Sequence, residues 1–369
     1  MKIQTIDWIL YLVVFLLISF GVVVIYSITY GQESTKNFTE YQIITALIGL
    51  LLLVLFSFLD YRSFKAISYI LYGVALLFLI LILTPLGKTY LGATRWLNLG
   101  FFQFQPSEFF KLICIITLAK VCDKNELNLK DFLLSLFLLF IPIGLVMKQP
   151  DLGTSIILFL IGITIIFAAG FKKKYLFSLT IFFVLLLSIF ALSFTKIKPF
   201  TNFLKDYQKE RVSTFLSTKK DPFGAAYNVN QSIIAIGSGG ILGRGLGFGP
   251  QSQLNFIPSK ETDFIFSVAS EGFGFLGASI MIFLFFILFL RIIKISSLAK
   301  DNFGTLLCYG TLAYFLFEVF INIGMTSGIV PVVGIPLPFI SYGRTSLLVN
   351  LMAIGLCQSV MIRHKKITF

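Results

Sequence analysis

Long apolar runs dominate the sequence, and each is about as long as a lipid bilayer is thick. A helix needs about 20 mostly apolar residues to cross roughly 30 Å of hydrocarbon, and such runs recur along the whole 369-residue chain. Hydrophobic residues make up 57% of the chain, the mean hydropathy is +0.92, and only 13% of residues are charged. An open sheet cannot satisfy its backbone in lipid, so the runs are expected to be helices. The sequence therefore predicts an all-α polytopic membrane protein.

Ten apolar runs predict ten transmembrane helices. The first run is too long for the apolar core of a signal peptide and has no small-residue cleavage motif, so we interpret it as a retained span. No soluble domain interrupts the series, and residues 1–369 are predicted to form a single transmembrane domain. The predicted spans are 8–30, 40–59, 66–85, 107–121, 132–148, 153–171, 175–195, 264–290, 304–326 and 339–362.

Basic residues predict how these helices are oriented. Fifteen Lys and Arg residues lie in one set of alternate connections and termini, whereas the short connections of the other set hold only Lys36, Lys88, Arg95 and Lys148. The positive-inside rule then places both termini in the cytoplasm, for a protein of the cytoplasmic membrane. This orientation and the attraction of anionic lipid explain the net charge of +13, so no nucleic-acid partner is predicted.

One connection is much longer than the others. Residues 196–263 form a polar segment between the seventh and eighth spans, on the predicted extracytoplasmic side. Long connections that are neither disordered nor linkers usually have a function, and we expect this one to fold over the membrane surface. Its glycine-rich part, residues 234–252, lacks the pattern and the preceding strand of a phosphate loop. We interpret it as tight turns and close backbone approach.

Residue types that bind metals or form disulfides are scarce. The four cysteines lie in or beside apolar runs and show neither paired nor metal-type spacing, which argues against disulfides and against a zinc site. The only histidine, His364, lies in the basic C-terminal tail. Chemistry that needs a buried histidine is therefore not expected.

Three acids lie at the start of the eighth apolar run or inside it. A solvated loop end explains Glu261, but Asp263 and Glu271 continue into the membrane, where a carboxylate is costly. A partly desolvated carboxylate beside other acids is suited to take a proton from a hydroxyl group. Asp263 is therefore the candidate general base.

A second polar stretch precedes the fourth span on the same predicted outer face. Pro106 fits the first turn of a helix, and Glu108 fits the position of a capping acid. Glu108 and Lys111 are i, i+3 neighbours that can pair, and an ionisable pair entering the bilayer indicates function. A plain helix start with an interfacial Trp96 explains these residues equally well.

Other polar side chains allow two interpretations. Asp151 is predicted either to cap a helix, where the helix dipole stabilises it, or to line a polar cavity. Glu318 and Asn322 are one turn apart inside the ninth span and are predicted either to form a hydrogen-bonded packing pair or to have a buried role in the cavity. Three prolines break helical regularity within residues 321–348, which is tolerated only beside protein or a water-filled cavity.

Six stretches of this sequence together resemble the SEDS family (shape, elongation, division and sporulation). They occur in order between about residue 92 and residue 350 and form a specific set. Their details are more similar to the RodA-like elongation branch than to the FtsW-like division branch. The stretches are GATRWL, QPSEFFK, KQPDLGTS, GAAYNVNQSIIAIGSGG, QSQLNFIPSKETDFIFSVASEG and PVVGIPLPFISYG.

The resemblance implies a peptidoglycan glycosyltransferase that polymerises lipid II at the outer face of the cytoplasmic membrane during cell elongation. It implies a class B penicillin-binding protein and other membrane proteins of the elongation complex as partners. Asp263 is the implied catalytic residue. A divalent cation, Mg²⁺ or Mn²⁺, is a candidate cofactor beside the cationic side chains. Predicted substrate-binding residues are Arg95, Glu108, Lys111, Gln149, Asp151, Gln231, Glu261, Glu271 and Ser341.

Two other functions fit the same residues. A lipid II flippase would carry the substrate without changing it, but it should need polar groups across the depth of the membrane, whereas here they gather at one rim. A scaffold that only activates its transpeptidase partner would not need Asp263. Two departures from the family pattern are Arg344, which stands where a second glycine is usual, and Glu318, an acid at a position not associated with the family. Arg344 is expected either to contact the diphosphate or to snorkel.

Overall fold

A computed structural model describes residues 6–30, 37–90, 93–98, 100, 103–192 and 226–364. A helix lies at each of the ten predicted spans, although the last begins at Arg344 rather than at residue 339. The helices of the described residues are α1 (Trp8–Thr29), α2 (Asn37–Phe58), α3 (Tyr61–Ile82), α4 (Pro106–Cys122), α5 (Leu129–Lys148), α6 (Leu152–Ala168), α7 (Lys173–Leu192), α8 (Tyr227–Ser238), α9 (Pro250–Gln253), α10 (Ile265–Leu298), α11 (Asn302–Thr326) and α12 (Arg344–Ile362).

Seven helices in the described part of the chain are long and apolar enough to cross a membrane, namely α1, α2, α3, α5, α10, α11 and α12. Helix α6 is also apolar but has only 17 residues. Helix α4 has 17 residues and carries Glu108, Lys111 and Lys120. The protein is thus a mostly helical, multi-pass membrane bundle.

The prediction of an all-α chain is wrong in one place, the connection between α3 and α4. Strands β1 (Gly87–Tyr90), β2 (Ala93–Asn98) and β3 (Gln103–Phe104) form an antiparallel sheet in the order β1-β2-β3. Lys88 pairs with Trp96, and Leu97 pairs with Phe104. Strands this short leave no clear alternation in the sequence, and aromatic and Thr residues favour strands once the chain lies outside hydrocarbon.

Helices α4, α11 and α12 form the centre of the bundle. Nearly every side chain of α4 is buried, and 89% of the apolar window of α12 is buried. Small residues let these helices approach closely. A Cβ at Gly310 of α11 would lie 2.7 Å from the Ile115 side chain of α4, and a Cβ at Gly355 of α12 would lie 2.7 Å from the carbonyl of Leu53 in α2.

Helix α10 is broken at Gly274, and the glycine-rich segment fills the break. Gly274 has φ +66° and ψ −164°, so the helix continues on either side of one non-helical residue. The carbonyl of Gly272 accepts from the N–H of Gly245 (3.1 Å), and the N–H of Phe275 donates to Gly240 (2.8 Å). The expectation of tight turns and close backbone approach is confirmed, because a Cβ at Gly274 would lie 2.3 Å from the nitrogen of Gly243.

One end of the bundle, which we name the distal end, is held together by ion pairs at helix termini. Asp7 caps α1 and accepts from the Nε of Arg291 in α10 at 2.9 Å. Asp301 caps α11 and accepts from the hydroxyl of Tyr61 (2.7 Å) and the Nε of Arg62 (2.8 Å). The distal end therefore joins α1 to α10 and α3 to α11.

The predicted long loop, residues 196–263, lies partly outside the described residues, which resume at residue 226. From there the chain forms α8, the glycine-rich turns, α9 and a turn that leads into α10. Ser232 of α8 donates to the carbonyl of Thr326 at the end of α11 (2.7 Å). This part of the segment packs on the end of the bundle opposite the distal end.

All four cysteines, Cys114, Cys122, Cys308 and Cys357, are buried free thiols.

Candidate active site

A polar cavity of about 460 Å³ opens at the end of the bundle opposite the distal end, which we name the cavity end. It is surrounded by the small sheet, by the starts of α4 and α6 and by the turn before α10. The irregular segment between α11 and α12, residues 327–343, completes the wall. Of the ten predicted site residues, six line this cavity: Arg95, Glu108, Lys111, Asp151, Glu261 and Asp263. A second groove, about 570 Å³ between α5 and α7, is lined almost wholly by apolar side chains and offers no comparable chemistry.

Lys111 is the buried cation of the cavity. Its side chain is 1% exposed, and its Nζ lies 2.8 Å from Oε2 of Glu108 on the same helix. Nζ also donates to Oε1 of Glu318 on α11, and it lies 4.7 Å from the ring centroid of Tyr314. The predicted Glu108–Lys111 pair is present, and Glu318 adds a second carboxylate.

Burying three charged groups inside a membrane helix bundle is costly, because each must leave water. The pairing with two carboxylates offsets that cost for Lys111. Three apolar side chains of similar volume would pack here without this desolvation cost. The retained charges therefore indicate a role beyond stability.

Arg95 is the second cation of the cavity and lies on β2. Its guanidinium donates to the carbonyl of Pro150, and its Nη1 lies 3.8 Å from Oδ1 of Asp151. Asp151 also caps α6, accepting from the N–H of Thr154 at 3.1 Å. Both interpretations of Asp151 therefore apply, since it is a helix cap and it lines the cavity.

Asp263 lies in the turn that leads into α10. Its backbone carbonyl accepts a hydrogen bond from Nδ2 of Asn322 (2.9 Å). Its Oδ2 faces Gly334, where φ is +74° and an added Cβ would lie 3.3 Å away. The carbonyl of the neighbouring Glu261 accepts from the N–H of Tyr342 (2.8 Å). The turn is thus tied to the irregular segment before α12, and the carboxylate of Asp263 faces the cavity.

The other four predicted substrate-binding residues lie outside the cavity lining, and three of them have structural partners. Gln149 is buried and donates to the carbonyl of Leu79 (3.0 Å). Ser341 donates to the carbonyl of Thr262 (2.6 Å). Gln231 lies half-buried on α8.

Glu271, the fourth, is buried in α10 below the turn. It accepts from the backbone N–H groups of Gln251 (2.9 Å) and Ser252 (3.0 Å) at the start of α9. A carboxylate at a helix start is favourable, and Glu271 thereby holds the loop that precedes Asp263. Glu271 follows Asp263 by about two helical turns. Its carboxylate bonds to the start of α9 and lies outside the cavity lining.

Lys260 belongs to the same loop and is buried beside the cavity turn. It donates to the carbonyl of Ser252 and to Oδ1 of Asn255, both at 2.7 Å. Burial lowers the pKa of Lys260, and the neighbouring Glu261 partly opposes that shift.

Glu318 and Asn322 do not bond to each other, so the prediction of a packing pair is wrong. Glu318 pairs with Lys111 and lines the cavity, which is the alternative role. Asn322 donates to Asp263 and to the carbonyl of Ile335 (2.7 Å). An acid inside an apolar run was the available signal, but its partner lies on a helix about 200 residues earlier in the chain.

Arg344 lies beside the cavity rather than in its lining. Its guanidinium stands over the ring of Tyr41 in α2, 3.8 Å from the centroid. The adjacent Tyr342, which does line the cavity, stacks on Phe38 with centroids 4.5 Å apart. Burial raises the pKa of the Tyr342 hydroxyl, although Arg344 opposes that shift.

Within the described residues, five carboxylates and two cations line the cavity. The same part of the chain contains no group of three or more His, Cys, Asp or Glu side chains placed to hold a metal ion.

Comparison with known proteins identifies the family. The profile of the FtsW/RodA/SpoVE cell cycle proteins matches residues 7–366. The peptidoglycan glycosyltransferase MrdB of Escherichia coli K12 is 35% identical over 361 residues, covering 97% of this chain and 94% of that protein. A chain from a peptidoglycan synthase complex that coordinates polymerisation and crosslinking is 29% identical, with a TM-score of 0.78 and coverage of 97% and 98%. The crystal structure of the rod shape determining protein RodA of Thermus thermophilus is 27% identical, with a TM-score of 0.70 and coverage of 96% of each chain. The chain belongs to the FtsW/RodA/SpoVE family, which is the SEDS family that its motifs resemble.

Proposed function

We propose that this protein is a peptidoglycan glycosyltransferase of the RodA-like branch, which polymerises lipid II during cell elongation. The observation that carries the proposal is the cavity in which a carboxylate, Asp263, shares one lining with two cations, Arg95 and Lys111. A reaction that removes a proton from a hydroxyl while a diphosphate departs needs these groups together. The glycosyltransferase relative and the synthase-complex structure support the same activity.

The proposed setting is the cytoplasmic membrane, crossed ten times with both termini in the cytoplasm. In this orientation the distal end faces the cytoplasm and the cavity end faces outwards. The lysine- and arginine-rich connections belong to the distal end, as the positive-inside rule requires. Substrate reaches the cavity from the outer leaflet, and the described residues 226–263 lie on that side.

In the proposed reaction, the C4 hydroxyl of the acceptor sugar attacks the anomeric carbon of the donor. The new glycosidic C–O bond forms as the bond from the anomeric carbon to the diphosphate oxygen breaks. Asp263 takes the hydroxyl proton, and the polyprenyl diphosphate leaves with the bonding electron pair. Arg95 and Lys111 meet the charge that develops on the diphosphate. A single displacement inverts the anomeric carbon and needs no covalent enzyme intermediate.

The predicted requirement for Mg²⁺ or Mn²⁺ stays a prediction. Because the described residues offer no set of three closely spaced ligands, no step of the reaction is assigned to a metal. A divalent ion commonly binds one or two carboxylates together with substrate phosphates, so an ion could still arrive with the diphosphate.

A class B penicillin-binding protein is the proposed partner, with other membrane proteins of the elongation complex. The similarity to a chain of a complex that couples polymerisation to crosslinking supports a transpeptidase partner. The activity assay should therefore contain that partner.

A lipid II flippase is the alternative. In the described residues the substrate-facing charges gather at the cavity end, whereas transport needs a polar route across the whole bilayer. A scaffold that only activates the transpeptidase would tolerate loss of Asp263.

Purified protein with its partner and labelled lipid II tests the three functions. The glycosyltransferase predicts glycan polymer from the wild type and none from Asp263→Asn. If neither protein makes polymer, and lipid II moves from one leaflet to the other in vesicles that contain the wild type, the protein is a flippase instead. Equal polymer from both would contradict the role of Asp263.

A further inference from the structure

One face of α11 reaches both the proposed base and the proposed cation. Tyr314, Glu318 and Asn322 are spaced by four residues, so they lie one above another along the helix. All three are buried, with exposures of 0%, 1% and 0%. We name this the α11 polar face.

Asn322, at one end of the α11 polar face, holds the turn that contains Asp263. Its Nδ2 donates to the carbonyl of Asp263 (2.9 Å) and to the carbonyl of Ile335 (2.7 Å). Ile335 follows Gly334, the residue that faces the carboxylate of Asp263. One amide therefore fixes both the backbone of Asp263 and the wall beside its carboxylate.

Glu318 and Tyr314 hold Lys111. Glu318 accepts from Nζ, and the Tyr314 ring lies 4.7 Å from the same atom. The hydroxyl of Tyr314 donates to Oδ1 of Asn350 in α12. The ammonium is thereby fixed between α4, α11 and α12.

Other polar side chains on α11 behave differently. The hydroxyl of Thr311 donates to Leu307 (2.9 Å), and that of Thr326 donates to Asn322 (3.0 Å), both of them carbonyls of the same helix. Such bonds satisfy a hydroxyl in an apolar helix and need no further explanation. Glu318 and Asn322 instead bond to other segments, at a cost that apolar residues would avoid.

We infer that the α11 polar face is a positioning element that sets the spacing between Asp263 and Lys111. Asn322 positions the base, and Glu318 positions the cation. A small misplacement of a reacting group can cost about 100-fold in rate, so a single rigid helix that carries both contacts suits a one-step displacement. This inference rests on the proposed function.

Steady-state kinetics of the full chain with its partner test the inference. Asn322→Leu should lower kcat about 30- to 100-fold and change KM for lipid II less than about threefold, since it moves only the base. Asn322→Asp, which keeps the size but loses both donors, should act in the same direction. Glu318→Gln should also lower kcat, by about tenfold, because it displaces Lys111, which meets the charge that develops on the diphosphate as the bond breaks.

Thr311→Val is the matched control, since it removes a buried polar atom from the same helix and should leave both constants within about twofold. Melting temperatures of all variants show how much folded protein each assay contains. The inference is overturned if Asn322→Leu and Asn322→Asp leave kcat unchanged, or if every variant lowers the apparent kcat only in proportion to its loss of folded protein.

A second measurement does not depend on polymerisation. Asp263→Cys introduces a thiol at the cavity in a chain whose native cysteines are all buried. Its rate of modification by a water-soluble thiol reagent should change at least about threefold when Asn322→Leu is added, and should not change with Thr311→Val. A wild type that makes no polymer would refute the proposed function, whereas an unchanged modification rate would refute the positioning role.

Discussion

Carboxylates lie at both the distal end and the cavity end of the bundle, but their exposure and their partners differ. Asp301 is 31% exposed, and its partner Arg62 is 42% exposed, so water shares their charges. Glu318 and Lys111 are each 1% exposed. At the distal end, acids cap helices and link neighbouring segments. At the cavity end, the charges of five separate segments surround one space. The difference teaches that convergence of charges from separate segments, rather than the number of charges, distinguishes a reactive site from a helix cap.

Of the variants considered, Asp263→Asn should lower polymerisation most and should separate the cavity end most clearly from the distal end. The substitution removes the proton acceptor and keeps the size of the side chain, so polymerisation should fall about 1,000-fold or more. Stability should change little, because the hydrogen bond from Asn322 goes to the backbone carbonyl. The measurement is polymer formed from labelled lipid II, together with the melting temperature. Residual polymerisation above a tenth of the wild-type rate would mean that Asp263 is not the base.

Lys111→Met should both inactivate the protein and destabilise it. Removing the ammonium leaves Glu108 and Glu318 buried without a cation, which costs about 3–5 kcal/mol in comparable buried pairs. The control at the distal end is Lys65→Met, which breaks the pair with Asp123. Because Lys65 is 40% exposed, that loss should be below about 1 kcal/mol. Equal losses of stability, measured by denaturation in detergent, would abolish the contrast between the two ends.

Arg95→Lys should lower kcat/KM about tenfold, because an ammonium cannot reproduce the planar guanidinium that reaches Pro150 and Asp151. Arg291→Lys makes the same exchange at the distal end, where Arg291 binds Asp7. That control should change stability slightly and leave kcat/KM within about twofold. Steady-state kinetics of the two variants show whether the requirement for a guanidinium is confined to the cavity end.

Glu271→Gln should weaken the fold more than the chemistry. The neutral amide loses the charge-assisted acceptance of the N–H groups of Gln251 and Ser252, a change of about 1–2 kcal/mol in the free energy of unfolding. The KM for lipid II should stay within about twofold, because Glu271 lies outside the cavity lining. A large rise in KM at unchanged stability would support the sequence-based prediction that Glu271 binds substrate.

Asp301→Asn should have the smallest effect on activity and a visible effect on acid stability. Burial raises the pKa of Asp301, but hydrogen bonds from Gly304, Tyr61 and Arg62 outweigh it, so the net pKa lies below the ordinary value. A depressed folded-state pKa contributes stability that is present above about pH 3.9 and is lost as pH falls through the folded pKa. Thermal unfolding from pH 6 downwards should therefore show a flatter loss of stability in Asp301→Asn than in the wild type. If the variant and the wild type lose stability equally below pH 6, the carboxylate of Asp301 contributes nothing to the stability of the folded protein.

The helical class and the positions of the helices were predictable from the sequence, because hydrocarbon leaves the backbone few alternatives. Apolar length alone located a helix at every predicted span. The same logic missed the small sheet at Gly87–Phe104, which lies outside the apolar runs and where short strands depend on their pairing. It also missed the break in α10, which becomes visible only when the glycine-rich turns fill it.

For the site, the sequence by itself determined which side chains carry charge and that six of them stand near the ends of apolar runs. Only the tertiary structure decided which of these meet. Lys111 pairs with Glu318 of a distant helix, and the backbone carbonyl of Asp263 accepts a hydrogen bond from Asn322. Glu271 accepts from the backbone of the loop that precedes Asp263. The physical reason is that apolar length and helix caps act over neighbouring residues, whereas a buried charge is stabilised by whichever partner the packing of separate helices brings within a few ångströms.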